Sequence, residues 1–101
     1  MLEIRKTPAF ETWLTGLRDR RGRAKIAARL DRLALGAAGD AAPVGQGVSE
    51  LRLHFGPGYR VYFIRRGALV IVVLGGGDKA TQDRDIAAAQ RLASDVKDEG
   101  P

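Results

Sequence analysis

The chain has 101 residues, 45% of them hydrophobic, which is enough for one domain with its own core. It has no cysteine and a single histidine, which excludes disulfides and thiolate metal centres and argues against a structural zinc site. A net charge of +5 and a pI of about 10.2 favour an anionic partner such as nucleic acid, an acidic protein or an anionic membrane surface.

The opening MLEIRK alternates, with Leu2 and Ile4 on one side and Glu3 and Arg5 on the other, and predicts a short strand. Thr7-Pro8 is a helix start, with Thr7 as N-cap and Pro8 in the first turn. Phe10, Trp13, Leu14 and Leu17 follow at i, i+3, i+4 and i+7 and form one apolar stripe. Gly22 and the charges around it predict a break, with a second helix from about Arg23 to Leu35, its inner face marked by Ile26, Leu30 and Leu33 and its end by Gly36. Residues 36–47, GAAGDAAPVGQG, read as a loop.

Strand patterns follow. In VSELRLHF the inner set is Leu51, Leu53 and Phe55 and the outer set is Glu50, Arg52 and His54. In YRVYFI the inner set is Tyr59, Val61 and Phe63, opposite Arg60 and Tyr62. ALVIVVL is apolar on both faces, as a central strand covered on both sides should be. Gly75, Gly76 and Gly77 read as a strand-ending turn; they lack the G-x-x-x-x-G-K-[ST] pattern of a Walker loop. Thr81 is placed to cap a last helix, with Asp83 and Asp85 in its first turn and Ile86, Ala89, Leu92, Ala93 and Val96 on its buried face.

The expected fold class is α+β, a single domain over 1–101 in the order β-α-α-β-β-β-α, with residues 97–101 fraying. Consecutive strands joined by short turns predict an antiparallel sheet. The helical hairpin should cover one face and the last helix part of the other, leaving a cleft. MLEIRKTPAF has no apolar signal-peptide core, and ALVIVVL is far too short to cross a bilayer, so a soluble cytoplasmic protein with no membrane partner is expected.

Strand parity singles out four residues. If Leu51, Leu53, Val61 and Phe63 face the core, then Arg52, His54, Arg60 and Tyr62 face the other way, within reach of one phosphodiester on strands roughly 5 Å apart. Lys79 comes at the end of the next strand, beside the N-terminus of the last helix. Such a set suits metal-free RNA cleavage. A base takes the ribose 2′-OH proton, the oxygen attacks phosphorus, cations neutralise the phosphate and an acid protonates the leaving 5′-oxygen. Arginine fits the phosphate role, histidine the proton transfers, and tyrosine can donate a proton or stack on a base. Each has a plainer reading: Arg52 and His54 as a wet sheet face, Tyr62 as a packing residue. The dense basic run Arg18, Arg20, Arg21, Arg23, Lys25, Arg29 and Arg32 is equally a solvated helix face or a track for an RNA backbone. Glu50 is the sole carboxylate near the strand cluster, which disfavours two-carboxylate hydrolysis.

The stretch ELRLHFGPGYRVYF, followed by LGGGDKATQDRDIAAAQRLA, resembles the RelE/ParE superfamily of toxins from toxin–antitoxin pairs, and most closely its HigB-like branch of addiction module killer proteins. The likeness spans nearly the whole chain. It implies a RelE-like fold and an endoribonuclease that cleaves mRNA, commonly on the translating ribosome, without metal or other cofactor. It also implies a cognate antitoxin, often of helix-turn-helix type, held with the toxin in a hetero-oligomer. On this resemblance Arg52, His54 and Arg60 match basic residues of the family's site, and Lys79 falls close to a further one. The family's Tyr or His near the C-terminus has no counterpart after Lys79, which leaves the acid–base role to His54 or Tyr62, or more of the catalysis to the ribosome and the RNA's own 2′-OH. Arg65 and Arg66, with Arg21, Arg23 and Lys25, are the expected RNA-binding residues. The alternative within the superfamily is a ParE-like inhibitor of DNA gyrase that performs no chemistry.

Overall fold

The computed structural model describes residues 1–98. Strand β1 (Glu3–Lys6) leads into helices α1 (Pro8–Gly16) and α2 (Arg20–Ala34). Strands β2 (Ala41–Gly45), β3 (Val48–Arg52), β4 (Tyr59–Arg66) and β5 (Val70–Asp78) follow, and a 3-10 turn over Lys79–Thr81 opens helix α3 (Gln82–Asp98). The class is α+β, built on one five-stranded sheet of order β1-β5-β4-β3-β2. Strands β2 to β5 form an antiparallel meander.

The sheet has two strands' worth of structure beyond a simple antiparallel meander of three. β1 pairs in parallel with β5, from Glu3 opposite Val70 to Lys6 opposite Val73, so the sheet is mixed. Parallel neighbours need a long crossover, and here the helices and the meander together supply it. The second addition is β2, inside the stretch expected to be loop. Alanines, a glycine and a proline carry little strand propensity, but Ala41–Gly45 is held by pairing with β3 at the sheet edge, where Pro43 is tolerated.

Local chemistry explains the helix boundaries. Thr7 is extended and caps α1, its Oγ1 accepting from the Phe10 amide at 3.2 Å. The same hydroxyl donates to the carbonyls of Val73 (2.9 Å) and Leu74 (3.0 Å), which fixes the start of α1 against β5. The break between the helices lies at Leu17–Asp19 and not at Gly22. Asp19 is the N-cap, accepting from the Gly22 amide at 2.9 Å, so α2 begins three residues before the expected Arg23. Gly22 is there for space: a Cβ would stand 2.6 Å from the Tyr59 ring.

Two apolar layers sandwich the sheet. Phe10, Ile26, Leu30 and Leu33 of the helical hairpin pack on Leu51, Leu53, Tyr59, Val61, Phe63, Ile71 and Val73. On the opposite face Ala89, Ala93 and Val96 of α3 pack on Val48, Tyr62, Ile64, Val72 and Leu74. β5 contributes to both layers, as its unbroken apolar run requires.

Gly75, Gly76 and Gly77 do not end β5; they continue it to Asp78. Leu74 is bulged out of the register between β4 and β5, so the parity of the glycines is set by the bulge. A side chain at Gly76 would strike the Trp13 indole, and one at Gly77 would strike the Asp85 carboxylate. The glycines are therefore a window through which α1 and α3 touch the strand. Thr81, expected to cap α3, gives its hydroxyl proton to Asp85 Oδ2 at 2.5 Å, while Asp78 caps the preceding 3-10 turn through the Ala80 amide at 2.9 Å. Helix α3 runs through Asp98, so the first two residues of the stretch expected to fray are helical; 99–101 lie outside the described residues.

Candidate functional site

The end of the sheet where β4 starts and β5 stops gathers the chemistry. Tyr59 pairs with Asp78 and Arg60 with Gly77 across these strands, while Arg52 of β3 lies opposite Arg60 and Glu50 opposite Tyr62. Paired residues share a face, so Glu50, Arg52, Arg60 and Tyr62 all lie on the α3 side. The 3-10 turn and the first turn of α3 fold over them, and Gln82 Nε2 donates to Glu50 Oε2 at 2.8 Å.

Within this group the charges are unequally satisfied. Glu50 is 1% exposed, and besides Gln82 it accepts from Arg52 Nε at 3.2 Å. Arg52 also stands 3.7 Å from Asp40 Oδ1, so its guanidinium is committed to two carboxylates. Arg60 is different. It is 7% exposed, its Nε has no hydrogen-bond partner, and its Nη1 has only the Tyr59 carbonyl at 3.4 Å. Among the described residues no carboxylate forms an ion pair with it. A buried cation without a counter-charge is costly and needs an explanation; an anion that arrives from outside is the simplest one.

The neighbourhood suits such an anion. Gly58, at φ 80°, brings the 55–58 turn close, and a Cβ there would lie 3.3 Å from Lys79 Cβ and 3.9 Å from Arg60 Nη1. Lys79 is exposed and stands at the mouth. A hollow of about 390 Å³ opens beside it over residues 79–84.

Tyr62 is fully buried, and its hydroxyl has no partner in hydrogen-bonding geometry. Burial, reinforced by the Glu50 carboxylate, raises its phenol above the ordinary value. It is sealed from any base that it would have to stack on. His54 touches the group only through Asp40, whose carboxylate it shares with Arg52. β3 ends at Arg52, and although Leu53 and Phe55 still pack inward, exposed His54 turns toward α2; it is 2.6 Å from Asp40 Oδ2 and lines a separate hollow of about 260 Å³ with Lys25, Arg32 and Phe55. The Asp40 carboxyl is held below its usual value by that contact first, and by Arg52 and Arg29 after it. The structure thus unites Arg52, Arg60 and Tyr62, places Lys79 nearby, and joins His54 to Arg52 only through the shared Asp40 carboxylate.

The expected RNA-binding residues do not form one track. Arg65 and Arg66 end β4, roughly 20 Å from Arg60 along the strand. Arg23 Nη1 donates to the Leu17 carbonyl at 2.5 Å and closes the end of α1. Lys25 Nζ sits 4.9 Å above the Phe55 ring, and Arg21 is exposed on the first turn of α2. Glu50, Gln82 and Asp85 were not singled out as members of the cluster. Glu50 falls on the Arg52 face by parity and was legible; the other two arrive through the packing of α3, which no local pattern encodes.

Fold and site together define a small α+β domain with an unpaired cation beneath the start of its last helix. No known family model matches the chain. An uncharacterized protein of Haemophilus influenzae (strain ATCC 51907 / DSM 11121 / KW20 / Rd) is 43% identical over 95 residues, which cover 94% of this chain and 96% of that one. The chain belongs to the same family as that protein. No helix among the described residues is long and apolar enough to cross a membrane.

Proposed function

We propose that this protein is the toxin of a type II toxin–antitoxin pair, with the RelE-like fold, and that it acts on mRNA as an endoribonuclease, on ribosome-bound message, until a cognate antitoxin of helix-turn-helix type neutralises it in the cytoplasm. The observation that carries this reading is Arg60, buried and without an ion-pair partner, beside the Gly58 turn that also borders Lys79. An RNA phosphodiester supplies the missing anion. Arg60 donates to its non-bridging oxygens and Lys79 adds a second cation from the exposed side; both stabilise the charge that grows as the 2′-oxygen attacks phosphorus. Arg52, tied to Glu50, is a fixed positive charge behind them. Proton transfer falls to groups outside the Arg60 cluster, because Tyr62 is sealed and His54 faces α2. The ribosome that presents the message is the source that this reading assigns.

The same observation supports a second reading, a ParE-like inhibitor of DNA gyrase in which the cluster binds and does no chemistry. Mapping mRNA 5′ ends after induction separates the two. New ends within coding regions, lost in Arg60→Met, are expected for the nuclease. DNA-damage signalling with intact messages would replace it with the gyrase reading, and full growth arrest in a folded Arg60→Met protein would remove the site from both.

A further inference from the structure

The glycine window of β5 has no part in the function proposed above, and it borders a second concavity. β1 pairs with β5 only as far as Val73, and Thr7 closes the outward carbonyls of Val73 and Leu74. Beyond them, among the described residues, β5 has β4 on one side and no strand on the other. At this open edge a hollow of about 190 Å³ lies between α1 and α3, with Gly75 and Gly76 as its floor, Trp13 and Ala9 on one wall and Ala88 on the other. Asp85 stands at its end; its Oδ2 takes the Thr81 hydroxyl, and its Oδ1 has only a loose ion pair with exposed Arg84, Nε at 3.8 Å and beyond hydrogen-bond distance, which leaves it able to accept from a further donor.

We propose that this slot takes a single nucleobase of the RNA whose phosphate lies on Arg60, and that it prefers a base with an exocyclic amino group to uracil. The proposal rests on the RNA-directed reading above. Size favours a ring: the volume is below the roughly 300–1,000 Å³ of sites that hold drug-sized ligands, so a whole nucleotide does not fit and a flat heterocycle does. The lining favours it as well, with an indole, a peptide floor bare of side chains, and one carboxylate as the polar group. Asp85 accepts from an amino group. Uracil's N3–H is flanked by two carbonyl oxygens that a carboxylate repels. Position favours it too. Asp85 lies against Gly77, and Gly77 is the partner of Arg60 across the strands, so slot and cation are neighbours.

Trp13 is the protein's one tryptophan, so its fluorescence reports on the slot directly. Titration of the intact protein with cytidine, adenosine and uridine should give saturable quenching by the first two at concentrations several-fold below those needed for uridine. Ala88→Leu, which fills the slot from an exposed position, should abolish it while the protein melts as the wild type does. No saturable change with any nucleoside, or equal quenching in Ala88→Leu, overturns the proposal. The nucleosides carry no phosphate, so their binding does not depend on Arg60. If the slot fails and the toxin reading stands, Ala88→Leu still arrests growth and cuts at unchanged positions; if the toxin reading fails, the nucleosides still quench.

Discussion

Arg60 and Tyr62 sit two residues apart on one strand, both deeply buried and both with an unpartnered polar atom, yet the physics assigns them opposite fates. Arginine keeps its charge at physiological pH, so burying it unpaired works against stability. Arg60→Met keeps the stem and removes the charge. It should be neutral or stabilising by about 1–2 kcal/mol in urea unfolding, and it should abolish growth arrest. A melt well below wild type would make Arg60 a structural residue. The Tyr62 hydroxyl has the Glu50 carboxylate near it but no partner in hydrogen-bonding geometry, so Tyr62→Phe should leave toxicity within about twofold and stability no lower, because only the folded state bears the cost of the desolvated hydroxyl. Tyr59 offers a pH test. Burial first, and its 2.8 Å hydrogen bond to Asp19 second, push its phenol up from 10.0 to about 12. The folded state therefore favours the neutral phenol; its contribution is complete below pH 10 and is lost as pH climbs toward 12. Tyr59→Phe should flatten that part of the melting-temperature profile. Asp19 works the other way. The Gly22 amide and then Tyr59 lower its carboxyl below 3.8, so its contribution is present above that value and is lost as acid protonates it. At this scale the cluster was half legible. Period-two alternation put Arg52, Arg60 and Tyr62 on one face because β3 and β4 are regular there. It failed for His54, which lies past the end of β3, although Leu53 and Phe55 on either side of it still pack with the inner set.

The elements were legible where apolar spacing dictates them. The Phe10–Leu17 stripe, the Ile26–Leu33 face and the alternation in β3 and β4 each found the layer expected of them. The misses share one cause, glycine and alanine, whose roles are set by neighbours distant in sequence. β2 is a strand because β3 offers it hydrogen bonds, and Gly22 continues a helix because Tyr59 needs the room. The triplet in β5 is the strongest case. Gly76→Ala drives a methyl group into the Trp13 ring, which is also packed on Phe10 (centroids 5.9 Å apart) and edge-on to Tyr59 (6.3 Å). With the indole pinned on two sides, the substitution should cost about 3 kcal/mol, the upper end for overpacking, as read from the midpoint of urea unfolding. A cost below about 1 kcal/mol would mean that α1 moves freely over the strand.

For the molecule as a whole, the cations behind the charge of +5 are dispersed, among them Lys79 near Arg60, Lys25 and Arg32 at the α2 hollow, and Arg65 and Arg66 at the far end of β4. RNA binding should therefore weaken steeply with salt, and Lys79→Ala should reduce the slope of log K against log salt by about 1 at every RNA sequence tested. An unchanged slope would take Lys79 off the phosphate. The parallel pairing of β1 with β5 has a further consequence, one of timing. β1 bonds to β5, the last strand of the described sheet in chain order, and Lys79 directly follows β5. Until β5 has been made, the chain lacks the strand that pairs with both β1 and β4 and so aligns Arg60.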